Sequence, residues 1–304
     1  MLKLQDIELS YGRTKVLNKL NMEVVEREIF GLVGPENAGK SLVCKIALGL
    51  LLPDKGSVTM LGKSIDKDET IRKSIGYLPE QLKISEYQLV EEYLIFFGKL
   101  YGISTSESDK RAKEIVKFTG LEGKEQVSVN RLSRGEQIKL GIGRALMHQP
   151  KLIILDEVFS GLDPIFCREI QTLILRMKQM GLSILITANH LENVSKLCDR
   201  IAIMDEGVVI ASGTTDDIQY LKLRANPIII RVESSVEEVV NLLRLDPNVK
   251  TLSRKDNILS IRYHGMIGQE TELLTRLIQN EVKVSAFYRE ESDFESLYFK
   301  ITSK

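Results

Sequence analysis

The sequence predicts an α/β protein in two parts: a mainly parallel sheet covered by helices, followed by a small α+β domain. Three observations predict this. The runs KLIILDEVF and LSILITA are continuously apolar, as strands buried on both faces are. Segments with helical spacing lie between such strands, the order that gives a parallel sheet under helices. Near residue 225 the rhythm changes to strand, helix, strand, strand, helix, strand. A chain of 304 residues also fits two domains at roughly 150 residues each.

In order, LKLQDIELSY alternates apolar and polar residues, as a half-buried strand does, and VLNKLNMEVV and EIFGLVG read as further strands. GKSLVCKIALGLL has helical spacing and runs up to Pro53. GSVTMLG and SIGYLP are short strands bounded by Gly or Pro. VEEYLIFFGKLYG and DKRAKEIVKFTG are amphipathic helices closed by glycine. SRGEQIKLGIGRALMHQP is a helix opening at Ser133 and stopped by Pro150. PIFCREIQTLILRMKQMG is the helix between the two apolar strands, and IAIMDEGVVIASG is a strand pair with a Glu-Gly turn. The helix TDDIQYLKLR follows. The domains are expected at 1–222 and 226–304, with a boundary near Ala225, before Pro227. In the second, PIIIRVES, VEEVVNLLRL, VKTLSR, ILSIRYH, ETELLTRLIQN and KVSAFYR give the βαββαβ order of a ferredoxin-like domain, and DFESLYFKIT reads as a last helix.

Composition narrows the function. Forty-two basic residues balance forty-two acidic ones, which gives no support for a general nucleic-acid or membrane-surface binder. Cys44, Cys167 and Cys198 form no C-x-x-C pair and are odd in number, which argues against a disulfide framework or a metal site. They read as small apolar residues in helices. The start MLKLQDIELSYG is strand-like rather than a signal peptide, and no apolar run approaches the ~18 residues of a membrane helix. If the protein works at a membrane, another chain supplies the spans.

The chemistry lies in GLVGPENAGKS, which fits G-x-x-x-x-G-K-[ST] and stands between a strand and a helix, as that motif requires. Backbone N–H groups at the start of the following helix point at phosphate oxygens, helped by the helix dipole; the cradle comprises Gly34, Pro35, Glu36, Asn37, Ala38, Gly39, Lys40, Ser41 and Leu42. Lys40 is expected to reach the β and γ phosphates of ATP, and Ser41 to hold Mg²⁺. Downstream, LIILDE ends an apolar strand in two adjacent carboxylates, costly there unless paired or metal-linked. Asp156 is expected to bind Mg²⁺ and Glu157 to deprotonate the attacking water.

The passage NRLSRGEQIKLGIGRALMHQPKLIILDEVFSGLDP resembles the signature helix, second Walker motif and Asp loop of ATP-binding cassette (ABC) ATPases. The resemblance extends in the family's order over roughly residues 1–221. It implies a P-loop ATPase core with an antiparallel β-subdomain and a helical subdomain. It also implies that Tyr11 stacks on adenine, that IGYLPEQ faces a membrane partner, and that LITANHLENVSKLCDRIAIMDEGVVIASG carries the switch histidine, placed at His190. In the family two ATPase subunits pair head to tail. Ser133, Gly135 and Glu136 would then sit against the partner's ATP, and Asp163 would link the two sites. The tail SDFESLYFKIT is similar to that of ATPase subunits from drug- and ion-exporting ABC systems, where a small C-terminal domain stabilises the dimer or gates ATP use.

Three positions depart from the family's common pattern: Glu36 with Asn37, Arg134 with Glu136, and Glu80, which would still ligate Mg²⁺ or hold water. Asn37 tolerates left-handed backbone, Glu36 could point to solvent, and Arg134 could offset Glu136. The resemblance implies an exporter's ATP-hydrolysing subunit on the inner face of the cell membrane, docked through residues 80–101 on a separate multi-span permease. Two alternatives stand beside it. One is a soluble ATPase switch acting on ribosomes or DNA. The other is an ATP-binding subunit of weak activity paired with a stronger partner. Tyr263 and His264 read as surface or satisfied residues.

Overall fold

The computed structural model describes residues 1–82, 88–233, 235–265 and 268–290, and the chain separates into two compact units, Met1–Thr215 and Asp216–Lys304. The expected last helix DFESLYFKIT lies outside the described residues, as does the 83–87 part of the expected docking surface.

In the first unit, β1 (Leu2–Tyr11), β2 (Thr14–Val24), β4 (Lys55–Met60) and β5 (Lys63–Ser64) form an antiparallel sheet in the order β2-β1-β4-β5. The second sheet has six strands: β3 (Ile29–Val33), β6 (Ile75–Leu78), β7 (Leu152–Leu155), β8 (Ser183–Ala188), β9 (Arg200–Asp205) and β10 (Val208–Thr214), in the order β10-β9-β3-β8-β7-β6. Pairing is parallel throughout except for β10 on β9. Every residue of β3, β7 and β8 is buried, as their unbroken apolar character predicts. Glu206 and Gly207 take positive φ between β9 and β10, the two-residue turn that suits a hairpin's twist.

The helix α1 (Lys40–Ala47) stops earlier than its sequence suggested, because Gly49 turns left-handed two residues later, well before Pro53. The helices α2 (Val90–Leu100), α3 (Thr105–Thr119) and α4 (Arg134–Leu146) share a separate core of Val90, Tyr93, Leu94, Ala112, Val116 and Leu140. Core packing takes Tyr93 in the aromatic α2, while Phe96 is exposed. The helix α5 (Pro164–Gln179) leads back into β8. Cys44 and Cys198 are buried, as expected of small apolar residues, but Cys198 stands in the stretch before β9 rather than in a helix.

The second unit begins with α6 (Thr215–Ala225), whose first residue closes the first unit. Then come β11 (Ile228–Val232), α7 (Val236–Arg244), β12 (Val249–Lys255), β13 (Ile258–Tyr263), α8 (Gln269–Gln279) and β14 (Val284–Arg289). The sheet is antiparallel in the order β12-β13-β11-β14, the βαββαβ arrangement read from the sequence. Its own core holds Ile228, Ile230, Val239, Leu259, Ile261 and Leu273. Tyr263 belongs to that core, with its hydroxyl donating to the Gln269 carbonyl at 3.2 Å.

Candidate functional site

The carboxyl ends of β3, β6, β7 and β8 open on one cleft of about 560 Å³, the position at which open parallel sheets bind ligands. Its lining includes Glu36, Asn37, Gly39, Lys40, Ser41 and Leu42 from the β3–α1 loop. The loop's shape explains its residues. A Cβ on Gly34 would lie 2.1 Å from the Met204 carbonyl oxygen, so only glycine fits there. Asn37 at φ 66 and Gly39 at φ 102 turn the chain through left-handed backbone before α1 begins. The N–H groups of Lys40, Ser41 and Leu42 find no backbone acceptor, as at any helix start, and stand at the cleft. Glu36 is exposed, so its carboxylate is solvated beside this cradle.

Lys40 is the cation of the cleft. It is only 5% exposed, and its Nζ donates to the carbonyls of Gly34 and Pro35 at 2.8 Å each and to Asn189 Oδ1 at 2.7 Å. Glu157 Oε1 lies 3.2 Å from the same nitrogen, and this oxygen is buried without an aligned hydrogen bond. Burial pushes the Glu157 carboxyl above the usual carboxylate range, and Lys40 offsets part of that.

Asp156 is fully engaged. Its Oδ1 accepts from Thr187 Oγ1 at 2.7 Å and Ser41 Oγ at 3.3 Å, and its Oδ2 accepts from the Tyr77 hydroxyl at 3.3 Å. Burial, with Asp156 adding to it, raises the pKa of the Tyr77 phenol, so it remains a donor. Thr187 Oγ1 also accepts the Glu157 N–H at 2.8 Å. Glu157 itself sits at φ 50, so β7 ends at Leu155 rather than continuing through KLIILDEVF. That turn directs adjacent carboxylates to different tasks.

Beyond the end of β8 the cleft is lined by Asn189. His190 is exposed and does not line the cleft; the side chain there is Asn189. Gly34 N–H donates to the Ala188 carbonyl at 3.2 Å, which holds the two strand ends level. Thr187 faces Asp156, and Asn189, just past the strand, accepts from Lys40 Nζ at 2.7 Å. Asn189, Thr187 and Tyr77 also bond to Lys40 or Asp156, roles that residue type and spacing alone do not mark.

Of the remaining expected residues, Glu80 lines the cleft and the others lie apart. Tyr11 is 55% exposed at the β1–β2 hairpin and does not line the cleft, although nearby Val16 does. Glu80 lines the cleft with an exposed side chain. Ser133 caps α4: its Oγ accepts the Glu136 N–H at 3.3 Å, while Glu136 Oε2 accepts the Ser133 N–H at 2.8 Å. Gly135 is buried, and a Cβ on it would lie 2.2 Å from the Phe166 ring. Arg134 does not offset Glu136; it donates to the Glu80 carbonyl at 3.0 Å, and Lys124 pairs with Glu136 at 3.2 Å instead. Burial raises the Glu136 pKa, but Ser133 and Lys124 outweigh that and leave it lowered. Asp163 caps α5, accepting from the N–H groups of Ile165 and Phe166.

The cleft suits a polyphosphate: unpaired N–H groups, one buried ammonium and backbone too close for side chains. The Ser41 hydroxyl and Asp156 carboxylate are hard oxygen donors of the kind that suit Mg²⁺. Among the described residues no group of three His, Cys, Asp or Glu could hold a metal alone, so such an ion would need phosphate or water ligands as well.

Comparison with known proteins agrees with this geometry. The family model described as ABC transporter matches residues 17–160. The linearmycin resistance ATP-binding protein LnrL of Bacillus subtilis (strain 168) is 30% identical over 311 residues, covering 100% of this chain and 99% of that protein. The Nod factor export ATP-binding protein I of Rhizobium sp. (strain N33) is 34% identical, covering 69% of this chain and 70% of its own. A solved structure of an ATP-binding subunit of an ABC transporter superposes with a TM-score of 0.65 at 31% identity, covering 72% of this chain and 92% of that one.

Proposed function

The chain belongs to the ABC transporter ATP-binding family, and from that premise we propose that it is the ATP-hydrolysing subunit of an exporter, driving a separate membrane-spanning subunit. Membership makes it an ABC ATPase and transporter subunit. The export direction is supported by relatives whose names carry Nod factor export and linearmycin resistance; the cargo is theirs. Among the described residues no helix is long and apolar enough to cross a membrane, so the spans in this reading belong to a partner on whose inner face the chain sits.

The observation that carries the reading is the convergence of Lys40, Ser41, Asp156 and Glu157 on one cleft. Lys40 is positioned for the β and γ phosphates of ATP, as its place in the loop dictates. Ser41 and Asp156 would hold Mg²⁺, with Glu80 at the rim; when bound, the ion neutralises phosphate charge. Glu157 is the base. Its carboxyl, raised by burial, accepts the proton of the attacking water. Phosphate that engages Lys40 draws the ammonium away from Glu157 and leaves that carboxylate free to act.

A second ATPase subunit completes the site in this reading. The exposed Ser133 end of α4 offers it N–H groups, whereas Gly135 is covered by Phe166 within its own chain. Tyr11, exposed at its hairpin, is available to adenine, and Asp163 to the second subunit. Glu157→Gln should lower ATP turnover of the full chain by about a hundredfold or more with ATP affinity retained. Unchanged turnover would sink the assignment. Detergent co-purification tests the partner: a stoichiometric multi-span protein is expected, and soluble partners alone would remove the exporter reading.

A further inference from the structure

We propose that the Asp216–Lys304 unit binds a small aliphatic monocarboxylate in the groove between α7 and β12. This goes beyond the ATPase reading and does not depend on it. Glu237, Val240, Asn241 and Arg244 recur at helical spacing, so one face of α7 carries all four. Leu252 and Arg254 stand two apart on one face of β12. Together these six residues line a cavity of about 360 Å³, within the size range of small-ligand pockets, and share none of its lining with the nucleotide cleft.

The chemistry of the lining selects the ligand. Val240 and Leu252 are half-buried and pack against the hydrophobic core of this unit, so the floor is apolar. The rim is charged. Arg254 is already committed: it donates to Glu237 and holds that carboxyl below its usual range, so Glu237 stays ionised. The Arg244 guanidinium and the Asn241 amide, neighbours on the same face of α7, have no side-chain partner among the described residues. Two guanidiniums against one carboxylate leave the groove one positive charge in excess. A guanidinium meets a carboxylate through two parallel N–H bonds, and the amide adds a further donor. The complement is a single carboxylate on an apolar chain, with its head at Arg244 and its chain over Val240 and Leu252. A further strand is a poorer occupant. β12 is an edge strand, but Lys250, Arg254 and Lys255 along it would face the same cations of a second copy.

The test is titration of the full chain with hexanoate, followed by the NMR shifts of the Asn241 side-chain amide and the Leu252 backbone N–H. A saturable shift with a Kd on the order of 1 mM is expected, the scale for a ligand of so few atoms. Acetate, which lacks the chain, and hexanol, which lacks the charge, should each bind at least about tenfold more weakly. Arg244→Gln should weaken hexanoate binding by about tenfold, the scale of hydrogen bonds to a charged group. Arg244→Lys, which keeps the charge without the fork, should restore part of that loss. Glu237→Gln frees Arg254 and removes a competing carboxylate, so it should tighten hexanoate binding, a gain that a structural role alone would not produce. Acetate or hexanol binding as well as hexanoate would overturn the proposal, as would weaker binding in Glu237→Gln. No saturation by about 50 mM hexanoate would overturn it too. So would unchanged hexanoate affinity in Arg244→Gln, which would leave Arg244 as a cation serving only the carbonyl end of α7.

Discussion

Thr187 shows how much of the site depends on one hydroxyl. It donates to Asp156 and accepts from the Glu157 backbone, so it ties both carboxylate residues to β8. Glu157 needs that tie because its left-handed backbone is unfavourable for a residue with a side chain. Thr187→Val keeps the shape and deletes both bonds. It leaves a buried N–H without its partner and removes one of the Asp156 donors, which costs about 1–3 kcal/mol. We expect a lower melting temperature and roughly tenfold slower ATP turnover, with ATP affinity changed less. Unaltered turnover in a destabilised chain would show that Thr187 supports folding alone. Lys40, Ser41, Asp156 and Glu157 were legible because their residue types and spacing are the chemistry. Thr187 was not, because a threonine in an apolar strand carries no sign of its role until that strand is paired beside the one that ends in Asp156.

At the level of elements, apolar continuity identified β7 and β8, and helical spacing identified α1 to α5. Their ends were less legible. A strand ends where backbone turns, and Glu157 gives no compositional warning that it will. The order β2-β1-β4-β5 was likewise hidden, since pairing of β1 with β4 depends on chain segments far apart in sequence. Contact between α4 and α5 is another such fact. Gly135 lets the Phe166 ring lie against the α4 backbone, with a notional Cβ only 2.2–2.7 Å from three ring atoms. In an open helix, Gly→Ala would gain about 0.5–1 kcal/mol. Here overpacking should reverse the sign, giving a net loss of about 1–2 kcal/mol for Gly135→Ala. In a Phe166→Ala background the same substitution should be neutral or stabilising. Equal losses in both backgrounds, measured by denaturant unfolding, would show that the two residues do not oppose each other.

For the whole molecule, the division of labour follows from where the cleft residues lie. The cleft is lined by residues between Val16 and Asn189, all within the Met1–Thr215 unit. The Asp216–Lys304 unit closes its own hydrophobic core between the sheet and its helices, with Ile228, Ile230 and Ile261 fully buried. A unit with its own core can unfold on its own, and its loss removes no side chain from the nucleotide cleft. A chain ending at Ala225 should therefore bind ATP within about twofold of the full chain, since one tenfold change corresponds to a whole hydrogen bond to a charged group. Calorimetric unfolding of the full chain should contain a transition that the shortened chain lacks. A much weaker ATP affinity in a shortened chain that still melts cooperatively would mean that the C-terminal unit acts on the cleft. Its role would then be to gate ATP use rather than to hold two subunits together.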